Sequence, residues 1–214
     1  MFIELVDSLR CVEPHEDTWL VAAVTRMDGR HIAEGKLGCP VCHREYPIRD
    51  GVAWFATREA DAASLTRADA SANEDHLTRA GAFLGLTDGG GIVAVSGIWA
   101  NGADGLAELG AGHVVLLNTV AADARAQEVS SLVVDTRLPF RPGSVRAVAL
   151  DRDVATPEML ASAAHVLQSR GRLVAPSDAT VPNDVVELAR DSNVWVGERV
   201  VAASPPVQLR SARR

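Results

Sequence analysis

Leu138–Ala175, LPFRPGSVRAVALDRDVATPEMLASAAHVLQSRGRLVA, reads as loop, buried strand, helix, turn and strand. Val145–Leu150 is an apolar run of strand length, bounded by Pro142-Gly143-Ser144 on one side and Asp151 on the other. The helix that follows carries its own start signals. Thr156 is placed to cap it, Pro157 suits the first helical position, and Glu158 suits the positive end of the helix dipole. Met159, Leu160, Ala163, Val166 and Leu167 form an apolar stripe at helical spacing, and Gly171 is the expected stop before the strand Leu173–Ala175.

The pattern extends upstream. Ile92–Ser96, Val114–Leu117 and Leu132–Val134 are short apolar runs, with a short helix expected around Leu106–Leu109. Strands alternating with helices imply a parallel sheet covered on both faces. Downstream, Asp184–Arg190 suggests another helix, and Val194–Val200 with Val207–Ser211 an antiparallel pair closing the sheet. The run Leu138–Ala175 resembles the second half of a class I S-adenosylmethionine-dependent methyltransferase, in which an LPF…GS segment precedes a helix ending in a "RVL.PGG.L" pattern. The antiparallel ending also fits that plan. The expected class is therefore α/β: a Rossmann-like methyltransferase sheet with helices on both faces, preceded by a small β-rich zinc-ribbon module.

That module occupies residues 1–57, which hold all three cysteines and the only Lys and Tyr. Residues 58–88 are Ala-rich, with Leu65, Ala68, Ala72, Leu77, Ala80 and Leu84 at roughly helical spacing, and read as a helical linker. Residues 89–214 form the methyltransferase-like part.

Cys39-Pro-Val-Cys42 is a C-x2-C knuckle, and Cys11-Val-Glu-Pro-His15 a C-x3-H pair about 25 residues upstream. Two such pairs on turns joined by a hairpin suit a tetrahedral structural zinc bound by Cys11, His15, Cys39 and Cys42, with His31 as a substitute ligand and a metal-free ribbon as the other reading. A redox C-x-x-C fits less well, because the knuckle does not open a helix. His43 is expected to face solvent. The surrounding text is similar to the zinc-ribbon domain of the activator subunit of tRNA and protein methyltransferases, whose bacterial relatives share a closing "C..C.R.YPI.DG" pattern. Cys39, Cys42, Tyr46, Pro47, Ile48, Asp50 and Gly51 match it. Pro14 stands where that family has its second ligand. The resemblance implies pairing with a methyltransferase-fold surface, which here lies in the same chain.

Against the methyltransferase pattern, the cofactor motif is eroded. The family ends its first strand in an acid followed by G-x-G-x-G. Here Ser96 takes the place of the acid, Gly97 alone stays in register, and Trp99 is expected to fill the cofactor pocket. The ribose-binding acid is replaced by Asn118, whereas Asp135 matches the residue that contacts adenine or, equally, caps a strand end. Asp151 and Asp153 are expected to be solvated loop residues. Gly97, Asn118 and Asp135 are thus a degenerate cofactor set, and no catalytic residue is assigned.

The chain carries 21 basic and 28 acidic residues, a formal charge of −7, which speaks against general nucleic-acid binding. No apolar run reaches the length of a membrane span, and the N-terminal stretch lacks the core of a signal peptide. With three cysteines, a cytoplasmic setting is expected. The favoured function is a non-catalytic methyltransferase-like subunit that binds a protein partner, on a soluble enzyme or at the cytoplasmic face of a membrane assembly. S-adenosylmethionine is not expected to bind. An active methyltransferase with an atypical pocket is the second reading. The basic tail Leu209–Arg214 is a candidate contact for an acidic partner surface.

Overall fold

The computed structural model describes residues 1–56, 65–70, 74–87, 89–121 and 128–200. In chain order the elements are β1 (Val21–Asp28), β2 (His31–Gly38), β3 (Glu45–Arg49), β4 (Val52–Trp54), β5 (Thr66–Arg67), α1 (Glu74–Leu84), β6 (Ile92–Ser96), α2 (Ala103–Glu108), β7 (His113–Leu117), β8 (Thr119–Val120), β9 (Val129–Val133), β10 (Val145–Ala149), α3 (Pro157–Val166), β11 (Leu167–Pro176), β12 (Val185–Arg190) and β13 (Val194–Arg199). Eleven strands make one sheet in the order β1-β2-β3-β4-β9-β7-β6-β10-β11-β13-β12, while β5 and β8 pair separately.

The centre is a parallel Rossmann-like sheet, β9-β7-β6-β10-β11. Strands β6, β7 and β9 are buried on both faces, and β6 and β7 accordingly read as nearly continuous apolar runs rather than alternations, while β9 buries Ser130 and Ser131 among its apolar residues. Val93 and Val95 of β6 face the layer formed by α1 and α2, and Ala94 faces the layer containing α3. The fold is α/β with helices on both faces, as the sequence predicts. Thr156 caps α3, its hydroxyl accepting from the Met159 amide at 3.2 Å, with Pro157 at the first position.

Three expectations are corrected. Asp184–Arg190 is not a helix: β12 is an edge strand paired antiparallel with β13, because Val185 and Val186 favour extended backbone and the neighbouring strand supplies a ladder. The other expected strand of the closing pair, Val207–Ser211, and the basic tail lie outside the described residues. Helix α3 ends at Val166 rather than running to Gly171, and Leu167 is already extended at φ −62° and ψ 139°. Gly171 serves close approach instead, since a Cβ there would lie 2.9 Å from the carbonyl oxygens of Arg146 and Gln168. Around Leu65 and Ala68 the backbone forms β5, drawn out by pairing with β8, and the helix of this region is α1; Ala72 lies outside the described residues.

The N-terminal module joins the sheet directly. Strand β4 runs parallel to β9, with Val52, Ala53 and Trp54 opposite Ser131, Leu132 and Val133. A second seam is formed by residues 8–12, which we call the strap. Arg10 N–H donates to Pro139 O and Arg141 N–H to Ser8 O, both at 2.9 Å, and Leu9 bridges Phe140. One apolar core contains Leu37, Tyr46, Ile48 and Phe55 of the module together with Val115, Leu132, Leu150 and Leu160. Among the described residues, no helix is long and apolar enough to cross a membrane.

Candidate metal centre and cofactor crevice

Cys11, His15, Cys39 and Cys42 each offer one donor atom, and the four atoms lie within 4.8 Å of one another. Cys11 Sγ is 3.7 Å from Cys42 Sγ, and His15 Nε2 is 3.2 Å from Cys11 Sγ and 3.4 Å from Cys39 Sγ. A tetrahedral zinc with ordinary Zn–S and Zn–N lengths of about 2.3 and 2.0 Å requires edges of about 3.8 Å between sulfurs and about 3.5 Å between nitrogen and sulfur. The donor set is compatible with zinc. His31 lies elsewhere, beside Phe2 with ring centroids 5.6 Å apart.

Local backbone builds each half of the cluster. The knuckle closes on itself, with Cys39 N–H donating to Arg44 O at 2.9 Å and His43 N–H to Cys39 O at 3.0 Å. His43, at φ 59°, turns the chain back and is exposed, as expected. On the strap side, Cys11 N–H donates to Thr18 O at 3.1 Å. The ring nitrogen Nδ1 of His15 lies 2.7 Å from Glu16 O, so the tautomer that donates there leaves Nε2 as the acceptor facing the sulfurs.

Electrostatics divide the thiols. Burial pushes the Cys11 thiol up to about 11, against the Tyr46 hydroxyl. Burial also opposes ionisation of Cys39, but the backbone amides of Cys42 and Val41 outweigh it and bring that thiol down to about 7. The Glu16 carbonyl raises His15. Tyr46 is a supporting residue that motif reading matched without giving it a role. Its hydroxyl lies 3.1 Å from Cys11 Sγ and accepts from Val12 N–H at 3.4 Å, and its ring stacks on Phe55 at 4.6 Å.

The second candidate region is the crevice at the carboxyl ends of β6 and β10, where the strand order reverses and where open α/β sheets bind ligands. Here the two strands are latched. Ser96 Oγ donates to Asp151 Oδ1 at 2.7 Å and accepts from Asp151 N–H at 2.9 Å. Gly97, at φ 53°, lies under the same carboxylate: a Cβ built on it would stand 2.0 Å from Asp151 Oδ2. Asp151 is therefore a half-buried latch rather than the solvated loop residue expected, whereas Asp153 is exposed.

Trp99 does not occupy the crevice. It is buried in the α1 layer, its ring 6.2 Å from both His76 and Phe83, because the turn after Gly97 directs it towards apolar neighbours. Asn118 adopts φ 55°, and its Oδ1 accepts from Val134 N–H at 2.8 Å. Its one carboxamide oxygen is thus committed to the neighbouring strand end. Asp135 is exposed just beyond β9. Gly97, Asn118 and Asp135 follow the ends of β6, β7 and β9, three adjacent strands, as the sequence pattern predicts.

The model of the Trm112p-like protein family matches residues 18–51, which include Cys39, Cys42 and Tyr46 and begin after Cys11 and His15. Residues 18–51 of the N-terminal module resemble that family. Among solved structures, an rRNA methylase from Streptococcus thermophilus matches at 15% identity over 61% of this chain and 100% of its own, with a TM-score of 0.39. The 1,6-didemethyltoxoflavin-N1-methyltransferase of Burkholderia thailandensis matches at 14% over 60% of this chain and 80% of its own, with a TM-score of 0.41. The tRNA (m1A58) methyltransferase TrmI of Aquifex aeolicus matches at 14% over 65% and 74%, with a TM-score of 0.40. The chain spans about half the length of others, 43% and 49% in two cases. At these identities the likeness concerns the fold alone. No curated protein matches the chain.

Proposed function

We propose that this chain is a non-catalytic methyltransferase-like protein that serves as a structural or binding subunit of a larger protein assembly. The observation that carries the reading is the Ser96–Asp151 latch across the carboxyl ends of β6 and β10, with the Asp151 carboxylate over Gly97. A cofactor approaching the backbone at Gly97 has to displace that carboxylate and break its hydrogen bond from Ser96 Oγ. The commitment of Asn118 Oδ1 to Val134 N–H adds to the obstacle, since a ribose hydroxyl then meets no free acceptor from that oxygen's best-placed lone pair. Gly97, Asn118 and Asp135 are in this view a degenerate set, the last retaining an exposed carboxylate.

The Trm112p-like module acts within the chain in this reading. Its strand β4 is engaged with β9, so the pairing of ribbon and methyltransferase-like sheet is internal, and a further partner meets another surface. Cys11, His15, Cys39 and Cys42 hold a structural zinc. A closed four-ligand site leaves no open position for substrate, so the metal supplies folding energy and no chemistry. The acidic chain, with no membrane-spanning helix among the described residues, fits a cytoplasmic protein partner; no feature favours a membrane-face assembly over a soluble one.

Calorimetric titration with S-adenosylmethionine and S-adenosylhomocysteine tests the proposal. No heat of binding is expected up to millimolar ligand. A micromolar dissociation constant establishes the other reading, an active methyltransferase with an atypical pocket. Elemental analysis after dialysis is expected to find one zinc per chain, and its absence from carefully purified protein refutes the metal assignment.

A further inference from the structure

The four donors are unequal in access. Cys42 is exposed, Cys11 and His15 are half-buried, and Cys39 is 3% exposed. Cys42 and Cys11 belong to different segments, the knuckle and the end of the strap, and their sulfurs stand 3.7 Å apart. A disulfide requires about 2.05 Å, so closure needs a shift of under 2 Å shared between two loop-borne side chains. The knuckle is held by backbone hydrogen bonds at Cys39, whose N–H and C=O are both engaged, while no backbone bond of that turn depends on the position of the Cys42 side chain.

We propose that Cys42 and Cys11 are a peroxide-sensitive thiol pair, the first attacking and the second resolving, whose oxidation to a disulfide dismantles the four-donor cluster. The Cys42 thiolate attacks one peroxide oxygen. An S–O bond forms, the O–O bond breaks, and hydroxide departs with the electron pair, to be protonated to water. Cys11 Sγ then attacks Cys42 Sγ and gives up its proton. The S–S bond forms, the S–O bond breaks, and a second hydroxide leaves and takes up that proton as water. One thiolate, one thiol, one hydrogen peroxide and one proton give one disulfide and two waters. His15 and Cys39 alone remain as donors, too few to hold a tetrahedral ion. The metal-release half of the inference rests on the zinc assignment above; the disulfide half rests on the Cys11–Cys42 geometry.

The test treats the full chain with hydrogen peroxide, follows zinc with a chelating dye, and maps peptides after alkylation without reduction. Trypsin places Cys11 in peptide 11–26 and both knuckle cysteines in peptide 37–44. The expected result is a cross-link between these peptides, located by fragmentation at Cys11–Cys42, with release of the bound zinc and full recovery on reduction with dithiothreitol. Cys39→Ser keeps the cross-link and Cys42→Ser loses it. A disulfide internal to peptide 37–44, a sulfonic acid at Cys42 with Cys11 still free, or thiols that stay reduced each overturn the proposal. The two readings fail separately. Protein that carries no zinc yet forms Cys11–Cys42 keeps the thiol pair and refutes the metal, and zinc-loaded protein that does not cross-link does the reverse.

Discussion

Asn118 holds two unusual conditions at once, a left-handed backbone and a side-chain oxygen spent on Val134 N–H. Asn tolerates that backbone better than residues whose side chain cannot bond locally. Asn118→Ala leaves a half-buried amide unpaired and keeps the unfavourable φ, so it is expected to cost about 2–3 kcal/mol in urea unfolding. Asn118→Gly loses the bond but relieves the backbone, and is expected to cost about 1 kcal/mol less. Equal losses for the two variants refute the role of φ. A second residue-scale expectation concerns His113, which lies at the start of β7, stacked on Phe2 at 5.2 Å and with Nε2 2.9 Å from Ser130 Oγ. Burial, with some repulsion from His31, pushes it down to about 4. The folded chain therefore resists a proton that the unfolded chain accepts near pH 6.5. Stability is full above that value and falls as pH drops from about 6.5 to about 4, by up to about 3 kcal/mol from this group. Because acid also weakens metal binding, the measurement is the difference between the chain and His113→Gln across this range, both stripped of metal. A difference that does not change with pH removes the histidine from the account.

At the scale of elements, what the sequence made legible follows from how local each cause is. The cap and Pro157 of α3, the C-x2-C knuckle and the doubly buried strands declare themselves in a few residues, and the structure carries each of them. The end of α3 depends on pairing with β10, well upstream, and β12 on the hairpin it makes with β13, a ladder that the stretch Asp184–Arg190 does not itself contain. The latch escaped for the same reason: Ser96 and Asp151 are 55 positions apart, and only the adjacency of β6 and β10 brings them together. The strap is another long-range element, and it links Cys11, one of the four proposed metal ligands, to the loop after β9 through Arg10, Arg141 and the Arg137 guanidinium, which donates to Val12 O at 3.3 Å. Chelation of the metal is therefore expected to loosen both seam amides. Hydrogen exchange at Arg10 and Arg141 should accelerate about tenfold or more, equivalent to about 1.4 kcal/mol, while the amide of Val95 in the central sheet stays protected. Unchanged exchange at the seam would show that the strap is held by the interface alone.

For the whole molecule the decisive feature is that the N-terminal module and the central Rossmann-like strands share one sheet and one core. Strand β4 continues the ladder beyond β9, and Phe55, 4% exposed, donates its backbone N–H to Val133 O at 2.7 Å while its ring lies in the same cluster as Leu132 and Leu150. Two modules joined by a flexible linker unfold in separate steps. Modules whose apolar surface is buried mainly against each other cannot, because opening the seam exposes both halves to water and leaves the edges of β4 and β9 unpaired. Scanning calorimetry of the metal-loaded chain is accordingly expected to give one endotherm whose van't Hoff and calorimetric enthalpies agree. Phe55→Ala removes a large buried ring from the seam and should cost about 3–5 kcal/mol. It should lower the temperature of that single endotherm without splitting it, since the other shared contacts, including Leu9 against Phe140, still couple the halves. Two endotherms in the unaltered chain would mean that the ribbon is an independent unit docked on a neighbour, and the reading of the module as an internal partner would fail with them.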